Sequence, residues 1–314
     1  MLAQAYDLKD KPGWSLAASR KKVQNDVYAF QKIHPILYRP FDVRYIFYHE
    51  AVVERPRSEV MRHMLAGENL GLITARSNKS TVMDHFFVTN KIMETKCGES
   101  TTQSALFPLY LYPSTPSPEM FDQEQKPNLA EWVLPKLSTA FGFTPDPEEV
   151  LAYIYAVFYS PTYRQKYTQE LRVDFPRIPF TADGNLFRQM AALGQQLIDL
   201  HLLHAFPTQT GGKAGGIKYQ GEGNDLIEKV RYDPFSARVY INAGKYFEGI
   251  TQELWEYQIG GYQVLEKYLK DRKGRRLDNP VRYIHIVSAI AQTMVIQTKV
   301  DQSYPDVESN VMAV

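Results

Sequence analysis

Cysteine is nearly absent from the 314 residues, where Cys97 stands alone. One thiol cannot close an internal disulfide, and no cysteine cluster offers a zinc site. Long apolar runs are missing too. No stretch approaches the roughly 20 apolar residues that a membrane-spanning helix needs, and the opening MLAQAYDLKDKPGW lacks the basic-then-apolar layout of a secretory signal. A reduced, cytoplasmic setting is expected, without a membrane partner. Charge of one sign is also lacking, because 36 Lys and Arg against 35 Asp and Glu leave a net charge of +1. Whole-chain basicity is the usual footprint of a nucleic-acid binder. Without it, any such contact must come from local patches. The opening is mixed and polar, with no evident strand or cap, and reads as a piece cut from a longer protein.

What is present is apolar and aromatic, 44% and 13% of the chain, which is ample for a core. Residues 36–49, ILYRPFDVRYIFYH, read as strand, turn and strand around an Arg-Pro break. Residues 55–66 place Val60, Met61, Met64 and Leu65 on one helical face. Residues 69–76 and 82–89 read as two strands with a polar Ser77-Asn78-Lys79-Ser80 tip between them, and 107–113 as another. The segment 113–127 is proline-rich and polar with no apolar period, which suits a linker or surface excursion.

Beyond it the period becomes helical. Asp146-Pro147-Glu148-Glu149 is a helix start, with an acid at the cap and proline in the first turn. A second helix is expected from about Pro161, a third over 186–203 with Leu186, Met190, Leu193, Leu197 and Leu200 in step, and a last over 280–299. Residues 207–224 hold six glycines and are expected to form a loop. Residues 230–242 read as a hairpin turning at Asp233-Pro234. The fold class is therefore α+β. A strand-rich part over 1–112 and a connecting stretch over 113–137 precede a mainly helical part over 138–314 with a late β-hairpin.

Several fragments mimic catalytic motifs. TGGKAGG lacks what a phosphate loop requires, since Pro207 holds the place of the first glycine and Ala214 that of the magnesium-binding hydroxyl. Asp84, Glu94 and Lys96 imitate the Asp…Glu-x-Lys set of magnesium-dependent nucleases, although salt-bridging surface residues give the same pattern. His201 and His204 lie three apart on an apolar helix without a third ligand, which favours ordinary histidines over a metal site. The nearest approach to an adenine-methyltransferase motif, Asp278-Asn279-Pro280-Val281, lacks the second proline and the aromatic. No catalytic, cofactor-binding or metal-binding residue is assigned. Local basicity remains, notably KDRKGRR at 270–276, with five cations in seven residues. Each such cluster taken alone also suits a solvated charged surface.

The run Tyr38-Arg39-Pro40-Phe41-Asp42-Val43-Arg44, ending at Tyr48, resembles the YRPFD-x-R signature of the C-terminal specificity region of Type ISP restriction–modification enzymes. Residues 84–113, 147–180 and 240–275 resemble the same family in order, so the resemblance spans nearly the whole chain. It implies one polypeptide holding a nuclease, an ATP-driven helicase, an adenine-N6 methyltransferase and a target-recognition domain, and this chain resembles only the last. Double-stranded DNA would be its partner, beside the methyltransferase and helicase domains of the same polypeptide. S-adenosylmethionine, ATP and magnesium would serve the full-length enzyme and not this chain.

On physical grounds Asp42, flanked by Arg39 and Arg44, reads as a folding ion-pair cluster. A surface that reads sequence must differ wherever its site differs, so the polar loops are the expected contacts. They are Arg76, Asn78 and Lys79, then Gln209, Lys213 and Lys218, with Arg272, Lys273, Arg275 and Arg276 as phosphate anchors. The alternatives are a magnesium-dependent nuclease and a protein-interaction module.

Overall fold

The computed structural model describes residues 9–12, 14–113, 125–206 and 216–312. Helix α1 (Leu16–Asn25) and a turn of 3-10 helix lead into strands β1 (Ile33–Arg39) and β2 (Asp42–Phe47). The strands pair antiparallel from Ile33 opposite Phe47 to Arg39 opposite Asp42. Proline fixes one corner of the turn, and Phe41 takes the left-handed backbone at φ 64°. That conformation is unfavourable for a ring-bearing residue. Packing holds it, because the Phe41 ring is buried edge-on against Phe87 and His201.

Helix α2 (Ser58–Leu65) buries Met61 and Met64, whereas Leu65, expected on the same face, is exposed. Strand β3 (Gly71–Ala75) is buried throughout and centres a sheet between β4 (Phe87–Thr89) and β6 (Ser104–Pro108). The strand expected over 82–89 is thus cut to its last three residues. The Asp84 carbonyl accepts the N–H groups of Phe86 and Gly260 and is not available to a ladder. Strand β5 (Ile92–Met93) adds parallel to β1. Short β7 (Tyr110–Leu111) and β8 (Lys126–Pro127) pair across the proline-rich segment, whose residues 114–124 lie outside those described.

Helices follow: α3 (Val133–Phe141), α4 (Pro147–Tyr159), α5 (Pro161–Lys166), α6 (Thr168–Val173) and α7 (Gly184–His201). A capping box between Asp146 and Glu149 opens α4, as its sequence demands. The single helix expected after Pro161 divides at Tyr167. Helices α4 and α7 touch backbone to backbone, and a Cβ on Gly194 would stand 1.8 Å from the Ala152 carbonyl oxygen.

Strands β9 (Lys218–Gly221), β10 (Arg231–Asp233), β11 (Arg238–Tyr240) and β12 (Lys245–Glu248) form an antiparallel sheet in the order β10-β11-β12-β9. The expected hairpin is there, but as half of a larger sheet. Residues 218–221 are strand where a loop was expected, because β12 supplies an edge that their polar side chains do not announce. Helix α8 (Gln252–Glu256), the tight pair β13 (Gln258–Ile259) and β14 (Tyr262–Gln263), and helix α9 (Val264–Lys270) lead to helix α10 (Pro280–Ser309).

Helix α10 runs ten residues past its expected end, through Pro305. Val300, Tyr304 and Val307 keep it packed. Asp301 also anchors it, accepting Ser160 Oγ at 2.6 Å and Thr162 N at 2.8 Å at the start of α5.

One apolar cluster runs from Ile36 to Val307. Tyrosines tie loops to it: Tyr153 donates to Pro179 O at 2.7 Å, Tyr159 to Phe86 O at 3.0 Å and Tyr163 to Arg177 O at 2.8 Å. Among the described residues no helix is long and apolar enough to cross a membrane.

The expected ion cluster at Asp42 exists with one exchange of partner. Arg39 pairs with Glu94 instead. Asp42, 1% exposed, accepts Arg44 Nη2 at 2.8 Å and two hydrogen bonds from Arg272, at 2.6 and 3.1 Å. Burial alone would raise its carboxyl, but the hydrogen bonds and charges of Arg272 and Arg44 hold it below the ordinary carboxylate value. Asp42→Ala leaves the half-buried guanidinium of Arg272 without its counter-charge. A loss of about 3–5 kcal/mol in denaturant-derived stability is expected, and a loss below roughly 1 kcal/mol contradicts the structural role.

Candidate nucleic-acid interface

Two of the three residues of the nuclease pattern are engaged in the fold, and the third is exposed. Asp84 is buried, its Oδ1 accepting Gly261 N at 3.2 Å, and burial raises its carboxyl while the Arg164 charge opposes the rise. That turn needs glycine: a Cβ on Gly260 would lie 1.9 Å from the Gly98 carbonyl oxygen. Glu94 is taken by Arg39 and by the Lys96 N–H at 2.9 Å, and the Lys96 side chain is exposed. Among the described residues no three His, Cys, Asp or Glu side chains are grouped to hold a metal.

His201 is a core residue. Its Nδ1 meets Tyr155 Oη at 2.6 Å, its Nε2 meets Thr293 Oγ1 at 2.9 Å, and its ring stacks on Phe87. His204 stands exposed at the helix end.

The polar-loop candidates divide into inward and outward residues. Asn78, taken from sequence as a base reader, is 3% exposed. Its Nδ2 lies 2.7 Å from His85 Nδ1, its Oδ1 accepts Ser80 N at 2.6 Å, and its own N–H donates to Arg172 O at 3.2 Å. Both ends of the amide are engaged and the side chain is buried, so it shapes the loop and does not reach a base edge. Arg76 and Lys79 flank it on the outside, Arg76 in a 3.3 Å exposed pair with Asp174. Gln209 and Lys213 lie outside the described residues.

The basic run near 270 divides the same way. Arg272, expected as a phosphate anchor, turns inward to Asp42 and lies over the Tyr268 ring at 3.6 Å. That contact fixes the turn. Ile227 N donates to Arg275 O at 2.9 Å, Gly274 N to Ile227 O at 2.8 Å and Leu277 N to Asp225 O at 2.8 Å, so the turn is stitched to the segment between β9 and β10. Lys273, Arg275 and Arg276 are left exposed, Arg276 only 3.7 Å from Asp225.

Lys218 is exposed at the start of β9, whose far end adjoins that segment. Its sheet adds residues that sequence reasoning passed over. Register puts Arg231, Tyr240, Tyr246 and Gln220 in one outward row, with Asp233, Arg238, Glu248 and Lys218 in the next. The opposite face carries the buried Val239 and Phe247. Arg231 lies over Tyr240 at 4.2 Å and Arg238 over Tyr246 at 4.4 Å, with the two tyrosine rings 5.3 Å apart. Period-two alternation in RYD and RVY was the available signal.

Buried histidines make the scaffold sensitive to acid. Burial and the Arg164 charge lower His201 to about 3 and His85 to about 4. In the unfolded chain both take a proton near pH 6.5, so their neutral native forms stabilise the fold above that pH and lose the advantage as pH falls toward 4. Unfolding free energy should fall by roughly 1.4 kcal/mol per pH unit for each histidine across this window. The Asp42 contribution is lost only below about pH 4. Denaturant titrations between pH 7 and 4.5 measure it, and a flat profile contradicts the assignment.

The α+β body presents arginine, lysine and tyrosine on the outward rows of the β9–β12 sheet and its neighbouring turn, while Asp42, Asp84 and His201 are engaged inside the fold. The family model for the Type ISP C-terminal specificity domain matches residues 3–298, and the chain belongs to that family. No match is found among the curated proteins. Three solved structures share the fold. The DrdV–DNA complex has TM-score 0.67 and 22% identity over 86% of this chain and 28% of its own. The ATP-dependent Type ISP enzyme LlaBIII bound to DNA has TM-score 0.67 and 20% identity over 92% and 19%. A nuclease-deletion mutant of the Type ISP enzyme LlaGI with a DNA substrate mimic has TM-score 0.62 and 16% identity over 86% and 24%. The chain thus spans under a third of the length of each.

Proposed function

We propose that this chain reads a duplex DNA site for a restriction–modification polypeptide and holds that site so that a separate adenine-N6 methyltransferase domain reaches its target base. The observation that carries the reading is membership of the specificity-domain family across residues 3–298. Two points support it: the DNA-bound neighbours share the fold, and the exposed cations cluster on one fastened turn. In this reading Lys273, Arg275, Arg276 and Lys218 contact phosphates, as do Arg76 and Lys79 at the second loop, while Gln209 and Lys213 extend the contact. Arg231 and Gln220 on the outward sheet row are added. Asn78 and Arg272 are withdrawn, because their side chains are committed inside the protein.

Methyl transfer requires the adenine to leave the stack, and the neighbouring domain performs that step with S-adenosylmethionine. ATP and magnesium serve the helicase and nuclease domains. The protein acts in the cytoplasm, where the buried Cys97 thiol, its ionisation opposed by burial, stays reduced.

A second surface supports docking to those domains. Val27, Tyr28 and Phe30 just ahead of β1, with Ile33 on β1 and Tyr45 on β2, are exposed apolar side chains suited to a protein partner.

Fluorescence anisotropy with a labelled duplex at stepped salt tests the DNA reading. Affinity should fall linearly in log–log form, and Lys273→Ala or Arg275→Ala should each reduce the slope by about 1 while weakening all sequences alike. A salt-independent signal, or no binding at low salt, overturns it.

A further inference from the structure

The turn joining β10 to β11 holds one aromatic ring wholly in solvent: Phe235 is 101% exposed. Its backbone is fastened. Asp233 Oδ1 accepts the Phe235 N–H at 3.1 Å and Asp233 Oδ2 accepts the Ser236 hydroxyl at 2.7 Å. Pro234 fixes the backbone angle just before the ring. The Ala237 carbonyl accepts the N–H groups of Gly249 and Ile250, both at 3.0 Å, which ties the tip to the end of β12. The ring supports nothing in the fold, and a fixed turn presents it.

The surroundings limit what it can meet. Asp233, Arg238, Glu248 and Lys218 form the outward row at this end of the sheet, so the ring rises from a polar base. Large apolar patches mark protein interfaces, and the polar base of this tip offers none. A single ring on a narrow stalk fits a slot one ring thick. Separated base pairs make such a slot, and apolar side chains do enter base steps in duplexes that proteins bend. Charge agrees. Lys218 and Arg231 are exposed on the outward face, and the acid of Glu248 is held by Arg238 at 2.7 Å. Asp233 is occupied in the turn.

We infer that Phe235 is a wedge that enters the base stack when the chain binds duplex DNA, with Lys218 and Arg231 on the flanking phosphates. The inference rests on the DNA reading proposed above and adds to it a deformation of the duplex. Flexible pyrimidine–purine steps open most readily, so the wedge favours such a step without a hydrogen bond to any base.

Two measurements on the 314-residue chain test it. Anisotropy with a duplex at low salt gives affinity. Topoisomerase relaxation of a closed circular plasmid under saturating protein gives unwinding, because insertion between base pairs is trapped as a change in linking number. The unaltered chain should shift the topoisomers. Phe235→Ala should abolish the shift and weaken binding roughly tenfold, the scale of a lost base–aromatic stack. Phe235→Trp should keep both and lose emission on binding. Melting temperature should not change in either variant. If Phe235→Ala binds and unwinds like the unaltered chain, or if the unaltered chain binds without unwinding, the wedge is refuted and the DNA reading stands. If the unaltered chain binds no duplex, the DNA reading fails and the wedge with it.

Discussion

A carboxylate removed from water at the β1–β2 turn fastens the basic turn that follows α9. Desolvating Asp42 is costly, and the cost is offset only by close, well-directed cationic partners. Arg44 supplies one from the same hairpin. Arg272 supplies the other from 230 positions along the chain, and in doing so ties the end of α9 to the first sheet. The residues after Arg272 cannot drift. Further backbone bonds join 274–277 to 225–227, so Lys273, Arg275 and Arg276 sit on a turn held from two sides. A positively charged surface held in advance loses less conformational entropy when it meets its partner.

The same economy governs the other polar groups. Arg39 is spent on Glu94, Asp84 on the 260–261 turn, Asn78 on His85, and His201 on Tyr155 and Thr293. Asp84, Asn78 and His201 looked available for chemistry in the linear sequence, and each is instead engaged in a buried hydrogen bond, since a polar group left unpaired in a core costs far more than one paired. Two groups stand out on a surface that also carries exposed acids, Glu222, Glu228 and Asp278 among them. Cations and tyrosines face outward on the four-stranded sheet and its neighbouring turn. Apolar side chains are exposed on β1, on β2 and in the segment before them. The first kind suits a polyanion and the second an adjoining domain.

Much of the fold was legible because local chemistry dictates it. The Arg-Pro break at 39–40 specifies the first hairpin, the Asp146–Glu149 box starts α4, and the leucine period of 186–200 writes α7. Other elements were not legible because their cause is distant. Strand β9 reads KYQG, with no alternation of its own, and exists through the edge of β12. Asn78 sits in a polar tetrad that resembles a loop tip, and only the Arg172 carbonyl and His85, brought from elsewhere, turn it inward. Arg272 is one cation among five in its run, and its inward turn depends on Asp42. The Arg–Tyr pairs of β10 to β12 were visible as alternation, but which face they share follows from register between strands.

On the proposed reading, duplex DNA lies against the sheet of β9 to β12 and the turn at 273–276. Cross-linking the chain to a duplex and mapping the modified peptides measures this directly. Adducts are expected at Lys218, Arg231, Phe235 and the 273–276 turn, suppressed by high salt. Adducts confined to the exposed basic side chains of α1, such as Arg20 and Lys21, with the sheet and turn unmodified, would contradict it.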